Sequence, residues 1–90
     1  NATLANVASS ASSVMLFAAN ASARARSVFN DSTQVLYLKF GTTASATSYT
    51  VQLAAGAYYE FPSNPLYAGR VDGLWASANG NARCTETSGT

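Results

Sequence analysis

No apolar run in this chain is longer than six residues (14–19), and the short runs are separated by clusters of Gly, Asn, Asp, Ser and Pro. Runs this short, about ten residues apart and divided by turn formers, read as strands rather than helices. The first spans 14–18 and the second 25–29. The second closes at Asn30, Asp31 and Ser32, where Asn and Asp side chains can turn the chain on its own backbone. Residues 34–40 follow at once, so these two strands are expected to form a hairpin. Within 34–40, Leu36, Leu38 and Phe40 alternate with Val35, Tyr37 and Lys39. One face is then wholly apolar and the other amphipathic, which places this strand centrally between layers.

Tyr49, Val51 and Leu53 alternate with Thr50 and Gln52 as in a half-buried strand. Gly56 supplies a turn, and 58–61 is a short aromatic strand that Pro62 ends or confines to an edge. Leu66 and Tyr67, in the loop around Pro65, are expected to cover an open end of the core. In 69–77, Val71, Gly73 and Trp75 share one face, and Arg70, Asp72, Leu74 and Ala76 the other. Asn79-Gly80 is a strong hairpin signal, so 82–87 is expected to pair back. About seven antiparallel strands make an all-β domain, a small sandwich or barrel, over residues 13–87. Residues 88–90 read as a flexible tail.

Residues 1–12 are small and polar, with Leu4 and Val7 their only sizeable apolar side chains. Two are too few for a buried face. The segment is expected to be an extended N-terminal arm, disordered alone or ordered on a neighbour. Ala favours helix there, but the clustered Ser and Asn compete for backbone hydrogen bonds.

Hydrophobic residues make up 48% of the chain, yet 18 of those 43 are Ala, leaving 25 larger apolar side chains. That is a thin core for 90 residues. Disulfide and metal staples are not expected, because Cys84 has no partner and there is no His. Association is therefore the default expectation, with no cofactor. Five cations (Arg24, Arg26, Lys39, Arg70, Arg83) face four anions (Asp31, Glu60, Asp72, Glu86), a net charge of +1. Such a surface has no field to gather nucleic acid or anionic lipid. No apolar run is long enough for a membrane helix, and no basic segment precedes residues 14–19 as in a signal peptide. One cysteine fits a reducing cytoplasm. A start at Asn1 rather than Met admits processing or an earlier start.

Catalysis is not expected. Without His there is no Ser-His or Cys-His pair, and Cys84 reads as a small inward-facing hydrophobe. Glu60 and Asp72 could be a glycosidase pair, but solvation or pairing with Arg70 or Arg83 is the simpler role. Among the aromatics, Tyr59 and Phe61 are expected to point inward together, Tyr58 to share a face with Glu60, and Trp75 to sit in the core. Tyr58 and Tyr67 are candidates for an interface or a sugar-stacking platform. Arg24 and Arg26, two apart, are expected on one strand face, paired with a neighbouring subunit's acids or solvated. The candidate interface is thus Leu4, Val7, Arg24, Arg26, Tyr58 and Tyr67. Sequons at Asn1, Asn20 and Asn30 are little more than this Ser and Thr content produces by chance.

The chain also resembles a family. Asn30-Asp31-Ser32 before Leu36-Tyr37-Leu38 and Gly41, then Thr47-Ser48-Tyr49-Thr50-Val51 and Gly56-Ala57-Tyr58-Tyr59-Glu60, is similar to small virion proteins of tailed bacteriophages. The pattern continues through Tyr67-Ala68-Gly69-Arg70-Val71-Asp72-Gly73-Leu74-Trp75-Ala76, Gly80-Asn81-Ala82-Arg83 and Thr85-Glu86, with Cys84 where Val is expected. The resemblance covers about residues 14–86 and carries no catalytic signature. It implies a β-sandwich structural component of a capsid or tail and leaves open which; the expectation taken from it is a capsid decoration (cement) protein bound to the major capsid protein on the capsid surface, made in the host cytoplasm, and a homotrimer because several capsid subunits meet at local three-fold sites. A tail, adaptor or fibre component is the alternative it leaves open.

Overall fold

The computed structural model describes residues 2–63 and 65–89. The strands are β1 (Ala2–Ala8), β2 (Val14–Phe17), β3 (Ala23–Asp31), β4 (Leu36–Phe40), β5 (Val51–Leu53), β6 (Tyr58–Glu60), β7 (Val71–Trp75) and β8 (Asn81–Ser88). They form two four-stranded antiparallel sheets, ordered β1-β8-β3-β6 (sheet A) and β2-β7-β4-β5 (sheet B). The two sheets pack face to face as a small β-sandwich, and no described residue is helical.

Alternation explains which side chains lie between the sheets. On β3, Arg26, Val28 and Asn30 are buried. Leu36 and Leu38 on β4, Val71 and Trp75 on β7, and Ala82 and Cys84 on β8 meet them from the other strands. One end of the core is aromatic. Phe61 lies 5.4 Å from Phe17 edge-on and 4.9 Å from Phe40 in a stack, and Tyr67 stacks on Phe40 at 4.6 Å. Tyr67 thus covers that end as expected, Leu66 packs partly buried against the core, and each such aromatic pair adds about 1 kcal/mol beyond its buried area.

Both expected hairpins are corrected. The strands around Asn30-Asp31-Ser32 lie in different sheets, as do β7 and β8 on either side of Asn79-Gly80. At the first crossing the cause is Asn30, whose side chain points inward and bonds both its own following segment and sheet B. Its Nδ2 donates to the carbonyls of Gln34, Leu53 and Ala54 at 2.8 to 3.1 Å, and its Oδ1 accepts from Ser32 Oγ and Trp75 Nε1. These bonds draw the 32–35 segment across to sheet B, where Ala76 N donates to Val35 O at 3.0 Å. At the second crossing Gly80 still needs its positive φ of 75°. A side chain there would strike the backbone of Asp31 and Ser32, so the glycine serves the close approach of two crossings. The hairpin that forms is β4–β5, across residues 41–50.

The expected N-terminal arm is also corrected. Residues 2–8 are β1, the edge strand of sheet A, paired with β8 from Ala2↔Thr87 to Ala8↔Asn81. Backbone pairing holds it, since Val7 alone among its side chains is half-buried and the others are exposed. The expected tail begins inside β8, which runs to Ser88. Gly89 N donates to Ser22 O at 3.0 Å, and Thr90 lies outside the described residues, as do Asn1 and Asn64.

Candidate interaction surface

In a twisted sheet, residues directly opposite one another share a face. On sheet A the register places Leu4, Thr85, Ser27 and Glu60 in one outward row, and Asn6, Arg83, Phe29 and Tyr58 in the next. Ala2, Thr87 and Ala25 extend the same face. Three of its side chains are large, apolar and exposed: Leu4 at 76%, Tyr58 at 61% and Phe29 at 36%. Between them the floor is made of small side chains, with a shallow hollow of about 180 Å³ lined by Ala25, Ser27, Tyr58, Glu60, Thr85 and Thr87. A second hollow of about 140 Å³ lies beside Leu4, Asn6, Arg83 and Thr85. Charge is sparse there. Arg83 Nε binds Asp31 Oδ2 at 2.7 Å, both exposed, and Glu60 lies at the β6 edge. An exposed pair of this kind adds about 0–1 kcal/mol to stability, and it leaves the face close to neutral.

Leu4 and Tyr58 therefore belong to one surface, as candidates for contact. Phe29 belongs there too and was not among the candidates. Its position was legible, because Val28 and Phe29 must face opposite ways and Tyr58 turns outward beside Glu60. The other four candidates lie elsewhere. Val7 faces inward and packs against the core. Tyr67 is half-buried, its ring on Phe40 and its hydroxyl donating to Arg70 O at 2.9 Å.

Arg24 and Arg26 do not share a face. The β3–β8 register slips between Ala23 and Ala25, so Arg24 is the extra residue of a bulge and alternation restarts after it. Arg24 is exposed and lies over Gly89. Arg26, only 1% exposed, is wholly committed within the chain. Nε donates to Glu86 Oε2 at 2.7 Å. Nη1 donates to Tyr67 O and Gly69 O, and Nη2 to Ala18 O and Ala68 O, at 2.7 to 3.3 Å. The guanidinium also lies over the Phe17 ring, 4.9 Å from its centroid, and Glu86 Oε1 accepts from Asn20 Nδ2. All five donors of the fork are used, which ties the end of β2 and the 67–69 segment to sheet A.

The chemistry-bearing groups are similarly engaged. Asp72 is 2% exposed, bound to Arg70 Nε at 2.8 Å and to the Ser13 hydroxyl. Glu60 is exposed on sheet A while Asp72 belongs to sheet B, so the structure does not make them a pair. Cys84 is buried, and desolvation pushes its thiol up from 9.0 to about 12. Such a thiol holds its proton and is a poor nucleophile. Among the described residues no three His, Cys, Asp or Glu side chains gather as a metal site. None of the helix length needed to cross a membrane is present among them either. What the outer face of sheet A offers is rigid, nearly neutral contact area with two exposed aromatics and one leucine, which suits adhesion to another surface. No protein-family profile, curated protein or solved structure matches this chain.

Proposed function

We propose that this chain is a non-enzymatic structural protein of a tailed-bacteriophage particle, a capsid decoration protein that binds the outer lattice of the major capsid protein. The observation that carries the proposal is the placing of Leu4, Phe29 and Tyr58 on one outward face of the sandwich. The virion resemblance over about residues 14–86 supplies the partner. A protein that binds only the assembled lattice stabilises it by mass action. Three copies gather where capsid subunits meet at local three-fold positions. Each then covers apolar area that its own thin core leaves outside.

The test is to add the purified protein to shells that lack it and follow sedimentation and heat resistance. Saturable binding that raises the shell's melting temperature, and that weakens at least tenfold in Tyr58→Asp or Phe29→Asp, is the expected result. Wild-type protein that does not bind such shells contradicts the proposal. A tail, adaptor or fibre position is the alternative within the particle and differs in copy number. Sugar binding at Tyr58 has the Glu60, Ser27, Thr85 and Thr87 hollow in its favour. It loses its second platform because Tyr67 stacks inside. Saturable glycan-array binding abolished by Tyr58→Ala would replace decoration with a carbohydrate-binding module.

A further inference from the structure

We infer that the open edge of β1 is a pairing site for a second copy of this chain, joined antiparallel through the two β1 strands into one continuous eight-stranded sheet. A free sheet edge presents unpaired N–H and C=O groups, and folded proteins blunt such edges with short strands, bulges, charges or Pro. Three of the four edges here are blunted. β5 and β6 have three residues each, and β2 has four with a register slip between Met15 and Phe17. β1 has seven residues, Ala-Thr-Leu-Ala-Asn-Val-Ala, with no charge and no Pro.

Hydrogen-bond alternation shows which β1 groups are free. Ser9 N donates to Gly80 O, and on β3 the amide of Asn30 and the carbonyl of Arg26 bond away from β8, to Ala57 and Phe61. Both observations set the same phase: Thr3, Ala5 and Val7 bond to β8, while the N–H and C=O of Leu4 and Asn6 face outward. Two such edges match about a two-fold axis at Ala5. Leu4 then bonds with Asn6 of the second copy, Ala5 lies opposite Ala5, and Thr3 lies opposite Val7. The occupant is a second copy because its own β1 presents the matching free N–H and C=O groups of Leu4 and Asn6 in this register, and neither strand carries a charge to oppose the approach.

A groove beneath β1 adds to the case. It has a volume of about 160 Å³, and Thr3, Ala5, Leu16, Phe17 and Cys84 are among its walls. The inward side chains of β1 are too small to close it. Pairing brings the two grooves together and extends the second copy's Val7 toward the opening. The contact is independent of the proposed particle role. On a shell it would join copies from adjacent three-fold groups, since an isologous contact cannot close a ring of three. One strand edge is far smaller than a standard interface of about 1,600 Å², so the pairing is weak in free solution.

The test is analytical ultracentrifugation of the full chain from about 1 µM to 1 mM, with amide hydrogen exchange at both ends of that range. A reversible dimer is expected, in which the Leu4 and Asn6 amides become at least tenfold slower to exchange while Ala5 and Val7 are slow throughout. Asn6→Lys places a charge on the edge, and Asn6→Pro removes an outward N–H without touching the bonds to β8. Both are expected to remain monomeric with an unchanged circular dichroism spectrum. A wild-type chain that stays monomeric at 1 mM overturns the proposal. So does any oligomer, including a strand-swapped dimer or a trimer, that survives both substitutions or leaves Leu4 and Asn6 fast.

Discussion

Arg24 and Arg26 show how one residue of register decides a side chain's role. Strict alternation puts both on one face. The bulge at Arg24 breaks it and leaves Arg26 in phase with Val28 and Asn30, pointing into the sandwich. Removing Arg26 takes from Glu86 its paired cation and from the Ala18, Tyr67 and Gly69 carbonyls a charged donor, and breaking a buried pair costs about 3–5 kcal/mol. Arg26→Ala is therefore expected to lose that much in urea unfolding, and Arg26→Lys most of it, because one ammonium cannot replace a five-donor fork. Arg24→Ala should cost less than about 0.5 kcal/mol; equal losses at the two positions would contradict the assignment. Cys84 makes a second prediction at this scale. Its thiol titrates near 9.0 in the unfolded chain and about 12 in the native one. The stability it contributes is full below pH 9 and falls as pH rises through that window. Cys84→Val should flatten this part of the pH profile, and the native thiol should resist alkylation until urea unfolds the chain. Alternation alone made the inward Trp75, Phe61 and Cys84 and the outward Tyr58 legible, while the bulge and the inward Asn30 were not, since both depend on partners more than 20 residues away.

At the scale of elements, local signals located the strands and missed their pairing. The seven expected strands all form, with shifted ends, but the turn residues between β3 and β4 and between β7 and β8 serve crossings from sheet to sheet. A turn motif reports a change of chain direction. Whether the next strand stays in the same sheet depends on what its inward side chains meet, and here Asn30 and Trp75 settle that through their shared hydrogen bond. β1 escaped detection for another reason: it has almost no buried face to produce alternation, and β8 recruits it through the backbone. Deleting residues 1–8 should accordingly leave the β-sheet circular dichroism spectrum in place and lower unfolding stability by about 1–2 kcal/mol, from Val7 and part of one ladder. The same deletion should abolish self-association. Global unfolding of the truncated chain would show that β1 is integral to the core.

At the scale of the whole molecule, the sandwich is 37 × 21 × 17 Å, and most of its strand partners are remote in sequence. Arg26 meets Glu86, 60 residues on, and β1 meets β8 at the opposite end of the chain. Non-local pairing of this kind folds on the order of milliseconds to seconds, which stopped-flow refolding should show; a microsecond phase carrying the full amplitude would contradict the topology. The thin core is stiffened by buried polar groups, Arg26, Asn30 and Asp72, each with partners. Its larger exposed apolar side chains on sheet A share one outward face. A neutral contact face on the sandwich is what the proposed lattice-bound role requires, and the capsid partner is a proposal that rests on the virion resemblance. The most direct measurement is cryo-electron microscopy of an intact particle carrying this chain, with its copies counted. Hundreds of copies on the shell, each with the Leu4, Phe29 and Tyr58 face against the capsid protein, are predicted; a dozen or fewer confined to the tail, or that face turned to solvent in every copy, would contradict the account.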